Sequence, residues 1–378
     1  MQIAIAPNAF KGSLTAAQAA EAIAQGLEQS ALNARLWQWP LADGGDGTLD
    51  VLLHEPGAQR YSISVQDPLG RPVAAEYGLL SDGQTAVVEM ARASGLALLG
   101  DQRAPLRAST YGTGQLMAAA IARGAQRILV GVGGSATIDG GAGALAALGV
   151  GLYDSEDRPL ALGGGALGTL ARVETNPALG DIQIDVLCDV RNPASGPDGA
   201  APIFGPQKGA TPEQVSLLAA NLAHFFGIIA TQTGNDVRET PGTGAAGALA
   251  GGLAALAGAR LVPGAQTIIE TRGYAQALPR CDLVITGEGA LDTQTDSGKA
   301  PAVIARMAAA HGVPTIAIAG QVPTTLGPTE PFAAVFSPLP RPATNAEAMQ
   351  HAAEWLAAAA YNLGNTLALG SGLLHRPG

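Results

Sequence analysis

Short apolar runs alternate with stretches of helical spacing at both ends of the chain. Ile3-Ala4-Ile5-Ala6 is a brief apolar strand stopped by Pro7, and Ala19, Ala22, Ile23, Gly26 and Leu27 then recur at the spacing of one buried helix face. Thr15 followed by Gln18 predicts a capping box at the start of that helix. Residues 36–39 read as the next strand, which ends at Pro40 and opens into the acidic glycine loop Asp43-Gly44-Gly45-Asp46-Gly47 before a helix over 49–53. From residue 61 the texture changes to an antiparallel meander: 61–65, 73–80 and 85–90, with turns at Asp67-Pro68-Leu69-Gly70 and Ser81-Asp82-Gly83. A helix over 113–123, closed by Gly124, leads to an apolar strand over 127–130. A further strand spans 184–190 and carries Asp189 near its end. Thr211, Pro212 and Gln214 supply the cap, first-turn proline and N3 glutamine of another helix. Strands follow over 283–286, 314–319 and 333–336, with a helix between the first two that runs to Ala310, and Asn345 is read as the cap of the last helix. Strand–helix alternation at both ends predicts a parallel, doubly wound sheet, whose ligands bind beyond the carboxyl ends of the strands.

The strand over 127–130 runs into GVGGSATIDGGAGALAALG, residues 131–149. A strand, a glycine loop and a helix start together present backbone N–H groups to an anion. Ser135 and Thr137 add hydroxyls and Asp139 a carboxylate. A tight turn whose glycines permit close packing explains the same pattern, so other residues have to decide.

Composition narrows the choice. The chain has 378 residues, 47% hydrophobic and 14% charged, enough for a large core and two or three domains and too apolar for disorder. A net charge of -10 without a basic patch argues against a nucleic-acid partner. Cys188 and Cys281 lie in apolar runs and read as buried thiols rather than a disulfide framework. No charged n-region or cleavage site precedes the first strand, and the uncharged run 355–374 is interrupted by Asn362, Gly364, Asn365 and Gly370. A soluble, cytoplasmic protein without a membrane partner is expected.

The charged residues are placed unusually. The chain has three lysines, Lys11, Lys208 and Lys299, each beside a glycine and near a predicted helix start. A cation there opposes the helix dipole unless an anion sits between them, and ligand contact by at least two of them is the reading. Asp43, Asp46, Asp139, Asp189, Glu288 and Asp292 recur in glycine loops after predicted strands. Carboxylates in such loops suit Mg²⁺, held by one or two of them plus substrate phosphates, or a general base, although Asp also favours turns. Gly131–Ala136 followed by Asp154 imitates a dinucleotide loop with its downstream acid. That supports a rival reading as a nicotinamide-dependent oxidoreductase of a small hydroxy acid, and a non-catalytic sugar-acid binder is a third. Gly242-Thr243-Gly244-Ala245-Ala246-Gly247 matches GxGxxG but follows no strand. The five histidines have no ligand spacing, and neither a Walker A motif nor a GxSxG elbow is present.

Seven blocks carry a resemblance: APNAFKGSLTA (6–16), PLADGGDGT (40–48), VGGSATIDGGAG (132–143), CDVRNP (188–193), FGPQKGA (204–210), GTGAAG (242–247) and TGEGALDTQTDSGKAP (286–301). Together, in this order and across nearly the whole chain, they resemble the bacterial glycerate kinases of the type-1 family. The resemblance implies ATP-dependent phosphorylation of D-glycerate, with 2-phosphoglycerate expected rather than the 3-isomer. It implies a discontinuous flavodoxin-like α/β domain, assigned to residues 1–60 and 275–378. An inserted mixed-sheet domain resembling a restriction-endonuclease fold takes 61–274, and the active site lies in the cleft between the two. Phosphoryl transfer needs positioning and charge neutralisation above all. Gly133, Gly134, Ser135, Thr137, Gly140 and Gly141, with Gly287, Glu288 and Gly289, are expected to cradle the ATP phosphates. Lys11 and Lys299 balance phosphate or carboxylate charge, and Asn8, Ser13, Arg191 and Lys208 join Lys11 as substrate contacts. Asp189 is the expected base or Mg²⁺ ligand, Asp43 accompanies it in catalysis, and Asp46 and Asp292 are further metal ligands.

Overall fold

A computed structural model describes residues 1–291, 298–322 and 330–374, with side chains to residue 370. In chain order the strands are β1 (Gln2–Pro7), β2 (Arg35–Gln38), β3 (Gln59–Gln66), β4 (Pro72–Leu79), β5 (Thr85–Glu89), β6 (Arg127–Gly131), β7 (Gly151–Tyr153), β8 (Arg172–Glu174), β9 (Gln183–Leu187), β10 (Arg260–Val262), β11 (Leu283–Ala290), β12 (Thr315–Gln321) and β13 (Ala334–Phe336). The chain divides into two compact units, Met1–Asp43 with Ala265–Gly378, and Gly44–Gly264.

The first unit is built on a five-stranded sheet in the order β13-β12-β11-β1-β2, parallel throughout. Numbered within the unit and read from the β2 edge, this is the 2-1-3-4-5 order of flavodoxin-like folds, whose switch point lies between the first and third strands, here β1 and β11. Because β1 is central, both of its faces must be apolar. Ile3 and Ile5 pack with Ile23 and Leu27 of the helix Ala16–Glu28 and with Leu356 of the helix Ala352–Leu374. Ala4 and Ala6 face the opposite way, toward Ile304 of the helix Ala300–Ala309 and toward Ile269. The predicted capping box is present: Thr15 Oγ1 accepts from Gln18 N at 3.2 Å and Thr15 N donates to Gln18 Oε1 at 2.9 Å.

The second unit carries a six-stranded mixed sheet in the order β10-β9-β6-β5-β4-β3. The meander β3-β4-β5 is antiparallel, and β5, β6, β9 and β10 continue in parallel. β7 and β8 form a separate two-stranded sheet. One core cluster includes Met90, Leu116, Ile128, Val130, Ile138, Phe225 and Phe226. Among the described residues one helix, Pro212–Thr233, is long and apolar enough to cross a membrane by length and composition. Its Leu218, Leu222, Phe225, Phe226 and Ile229 are buried in this unit's core.

Two local expectations change, and one helix has an unusual start. The strand expected through 190 stops at Leu187, where its pairing with β10 ends at Val262; Asp189 therefore sits in the following loop. Thr344, not Asn345, caps the helix Asn345–Gln350, because Thr344 Oγ1 accepts from Glu347 N at 3.3 Å. The Gly/Ala helix Ala245–Ala257 opens with three left-handed residues, Ala246 (φ 55°), Gly247 (φ 65°) and Ala248 (φ 67°).

Candidate active site

In the first unit the predicted residues collect at the switch point. Pro7, Gly287 and Ile318 are cross-strand neighbours at the carboxyl ends of β1, β11 and β12. Asn8 N donates to Gly287 O at 2.8 Å, which starts the loop to Thr15 beside β11. Asn8 Nδ2 donates to Asp43 Oδ2 at 3.4 Å, and Leu41 N donates to Pro7 O at 2.8 Å. The segment after β2 thereby delivers Asp43 to the end of β1. Ser13 Oγ donates to Phe10 O at 2.9 Å and holds the loop's own turn. A Cβ on Gly289 would stand 3.5 Å from Lys11 N, so the two loops are in contact, and the Lys11 side chain is exposed. Lys299 precedes the helix Ala300–Ala309 at its N-cap, and its Nζ lies 3.8 Å from Glu288 Oε2. Lys11, Lys299, Glu288, Asp43 and Asn8 thus share one end of one sheet. Asp292 lies outside the described residues.

In the second unit three loops meet at the carboxyl ends of parallel strands. Glu89, Gly131 and Leu187 are cross-strand neighbours on β5, β6 and β9. A Cβ on Gly44 would approach Leu187 O to 2.8 Å, one on Gly133 would approach Gly45 Cα to 2.4 Å, and one on Gly134 would approach Asp46 Oδ1 to 2.8 Å. The acidic loop 44–47 is therefore laid directly over the glycine loop, an approach that side chains at 133 and 134 would block. Gly133 N donates to Gly44 O at 3.2 Å. Asp46 is exposed, with its carboxylate against Gly134. Asp189 follows β9 and accepts from Gly264 N at 2.9 Å, and Arg191 beyond it is exposed.

The glycine loop itself is divided. Asp139 is fully buried and gathers four donors, Thr110 N, Thr110 Oγ1, Gly141 N and Gly143 N, at 2.7–3.3 Å. Burial pushes its carboxyl above the usual range against those four bonds. Gly140 N donates to Gly247 O at 3.0 Å, and the Gly140 and Gly141 Cα atoms face Phe225 and Leu249. The amides of Gly140 and Gly141, expected at the phosphates, bond within the protein's own fold. Thr137 is buried too, and its Oγ1 has no hydrogen-bond partner among the described residues. What remains toward the acidic loop is Gly133, Gly134 and Ser135.

Lys208 departs furthest from expectation. It is 2% exposed, and its Nζ donates to Ser135 Oγ and Thr137 O, both at 2.7 Å. Burial lowers its pKa to about 7, with Asp139 opposing the shift. The ammonium expected to meet the substrate is thus enclosed by the glycine loop.

One residue escaped the sequence. Glu89, buried at the end of β5, accepts from Gly47 N at 2.8 Å and Leu49 N at 3.4 Å and also meets Arg92 Nε at 3.1 Å. Burial raises its pKa, opposed first by Arg92. It secures the loop that carries Asp46. A carboxylate closing an apolar strand was the available signal, but its value depends on β5 lying beside β6.

The dinucleotide reading fails on topology. The strand after the glycine loop, β7, belongs to a separate sheet, and β6 pairs instead with β5 and β9. Asp154 is a turn residue whose Oδ1 accepts from Glu156 N at 2.8 Å and Arg158 N at 3.0 Å.

No group of three or more His, Cys, Asp or Glu side chains suited to a metal occurs among the described residues. Mg²⁺ shared with phosphates keeps few protein ligands. The hard carboxylate oxygen of Asp46 against the glycine loop is a suitable donor.

Comparison with known proteins places this geometry in a family context. The glycerate kinase family profile matches residues 3–368. A glycerate kinase of Halalkalibacterium halodurans is 43% identical over 367 residues, 96% of this chain and 97% of that protein. A glycerate 2-kinase of Escherichia coli K12 is 40% identical over 377 residues, 98% of this chain and 99% of that protein. The crystal structure of a "putative glycerate kinase 2" from Salmonella typhimurium LT2 superposes with a TM-score of 0.88 at 39% identity, covering 98% of this chain and 99% of that one.

Proposed function

This chain belongs to the glycerate kinase family, and from that premise we propose that it transfers the γ-phosphoryl group of ATP to the 2-hydroxyl of D-glycerate in the cytoplasm. The observation that carries the reading is the meeting of the acidic loop and the glycine loop over the ends of β5, β6 and β9. Bare peptide amides beside a carboxylate are what a phosphate chain and its counterion require. The choice of the 2-hydroxyl is supported by the Escherichia coli relative, a glycerate 2-kinase.

The proposal assigns roles residue by residue. Gly133, Gly134 and Ser135, with Gly287, Glu288 and Gly289, line the phosphates. Lys11, exposed at the switch point, meets phosphate or the glycerate carboxylate, with Asn8, Ser13 and Arg191 as further contacts. Lys299, near Glu288, neutralises charge as phosphoryl transfer proceeds. Asp189 takes the proton of the attacking hydroxyl, and Asp43, bonded to Asn8, orients the substrate. Asp46 and Asp292 are the residues proposed to hold Mg²⁺. When bound, that ion neutralises charge on the phosphates.

The test is direct. Purified protein with ATP, Mg²⁺ and D-glycerate should release ADP only when all three are present, and chelation of Mg²⁺ should abolish release. ADP formation that ignores glycerate, or no ADP at all, would sink the reading.

A further inference from the structure

Lys208 is held in place before it reaches the glycine loop. It ends the 3-10 turn Pro206–Lys208, and Gly209, at φ 88°, turns the chain away after it. Arg103 Nη1 donates to Gln207 O at 3.0 Å and pins that turn from outside. The ammonium then reaches Ser135 Oγ and Thr137 O, both at 2.7 Å, more than seventy positions back in the chain. A buried ammonium weakens a fold unless its partners are well placed. These two partners are consecutive anchor points on one loop.

The same loop is braced from a second side. A Cβ on Gly247 would stand 1.9 Å from Thr137 O, so the backbone at 247 bears directly on the peptide that Lys208 holds. Gly247 is flanked by Ala246 and Ala248, both left-handed, a conformation that disfavours an alanine. Strain of this kind persists where the surroundings over-determine it, and it gathers at functional sites. Beyond Thr137, Asp139 fixes the next residues through Gly141 N and Gly143 N. Three sets of contacts therefore hold residues 137–143, and among them Lys208 reaches forward to Ser135, next to the Gly134 that abuts Asp46.

We propose that Lys208 is a positioning residue: it ties Ser135 to Thr137 and so fixes the shape of the phosphate-facing end of the glycine loop, without touching substrate itself. The inference rests on the kinase reading for its functional part, but the strut itself is a structural statement. Its low pKa agrees with this enclosure, with Asp139 on the loop as the charged group that opposes the shift.

The test uses the full-length enzyme with Lys208→Met, Ser135→Ala and the double variant. Lys208→Met should speed amide hydrogen exchange in the peptide covering 133–137 by about tenfold or more, with distant peptides unchanged. Its kcat/KM for ATP should fall by about thirtyfold or more, while KM for glycerate stays within about threefold. Ser135→Ala should fall by about tenfold. The double variant should be no worse than Lys208→Met within about threefold, because the two residues act as one unit. Unchanged exchange in 133–137, or losses that multiply in the double variant, would overturn the proposal, since a lysine in direct contact with substrate acts independently of Ser135. If Lys208→Met does not fold, Ser135→Ala decides: faster loop exchange with lower kcat/KM for ATP supports the strut, and no change in either overturns it. If the wild type proves not to phosphorylate glycerate, the kinase reading fails while the exchange result still judges the strut.

Discussion

A buried lysine answers to pH differently from an exposed one, and Lys208 offers a clean case. Its pKa in the folded chain is about 7, against an ordinary value of 10.5. Between those values the unfolded chain holds a proton that the folded chain lacks, so stability rises with pH across the window. Below the lower value both states are charged and the burial penalty applies in full. Thermal unfolding of wild type and Lys208→Met between about pH 6.5 and 9.5 should show the wild type gaining on the variant as pH rises. A constant gap between them would contradict the burial of the ammonium. Lys11, by contrast, has an exposed side chain. Lys11→Ala should lower kcat/KM by about a hundredfold, as loss of a charge on a transferring phosphoryl group does, and shift Tm by no more than about 2 °C. Lost folding with retained specific activity would remove Lys11 from the site. In the sequence the three lysines look alike, each beside a glycine near a helix start. What separates Lys208 is its contact with Ser135 and Thr137, which no local pattern encodes.

At the scale of elements, what was legible is what is locally determined. Thr15 with Gln18 and Thr211 with Gln214 form the capping boxes that their spacing predicts, because donor and acceptor lie within one turn. The antiparallel meander was visible from its alternation and tight turns, and β3, β4 and β5 pair accordingly. The left-handed turn at 246–248 was not visible, because two of its three residues are alanines that ordinarily favour a right-handed helix. Its cause is tertiary: Thr137 O occupies the space where a side chain at 247 would go. Gly247→Ala should therefore destabilise the protein by about 3 kcal/mol or more, through a clash in the core and a left-handed alanine. Ala248→Gly should stabilise it by about 1 kcal/mol by relieving strain. Chemical denaturation of both variants checks the pair, and opposite signs are expected. A neutral Gly247→Ala would mean that the loop and the turn do not press on one another.

For the whole molecule, the pattern of strands and helices foretold a doubly wound parallel sheet, and the observed order β13-β12-β11-β1-β2 supplies it. The same pattern left the glycine loop ambiguous between phosphate binding and a dinucleotide site, because both place glycines between a strand and a helix. Only the sheet order separates them: β7 leaves the main sheet, and β5 and β9 flank β6 in its place. The neighbours thus gained bring Glu89, Asp46 and Asp189 to the loop's end of the sheet, a gathering that no stretch of sequence displays by itself. The proposed transfer of a phosphoryl group from ATP to glycerate by this assembly leaves its record in the product. Phosphorus and proton NMR of the product formed from ATP, Mg²⁺ and D-glycerate tests it most directly. The product should be 2-phosphoglycerate in a one-to-one ratio with ADP; inorganic phosphate with unaltered glycerate would rule the transfer out.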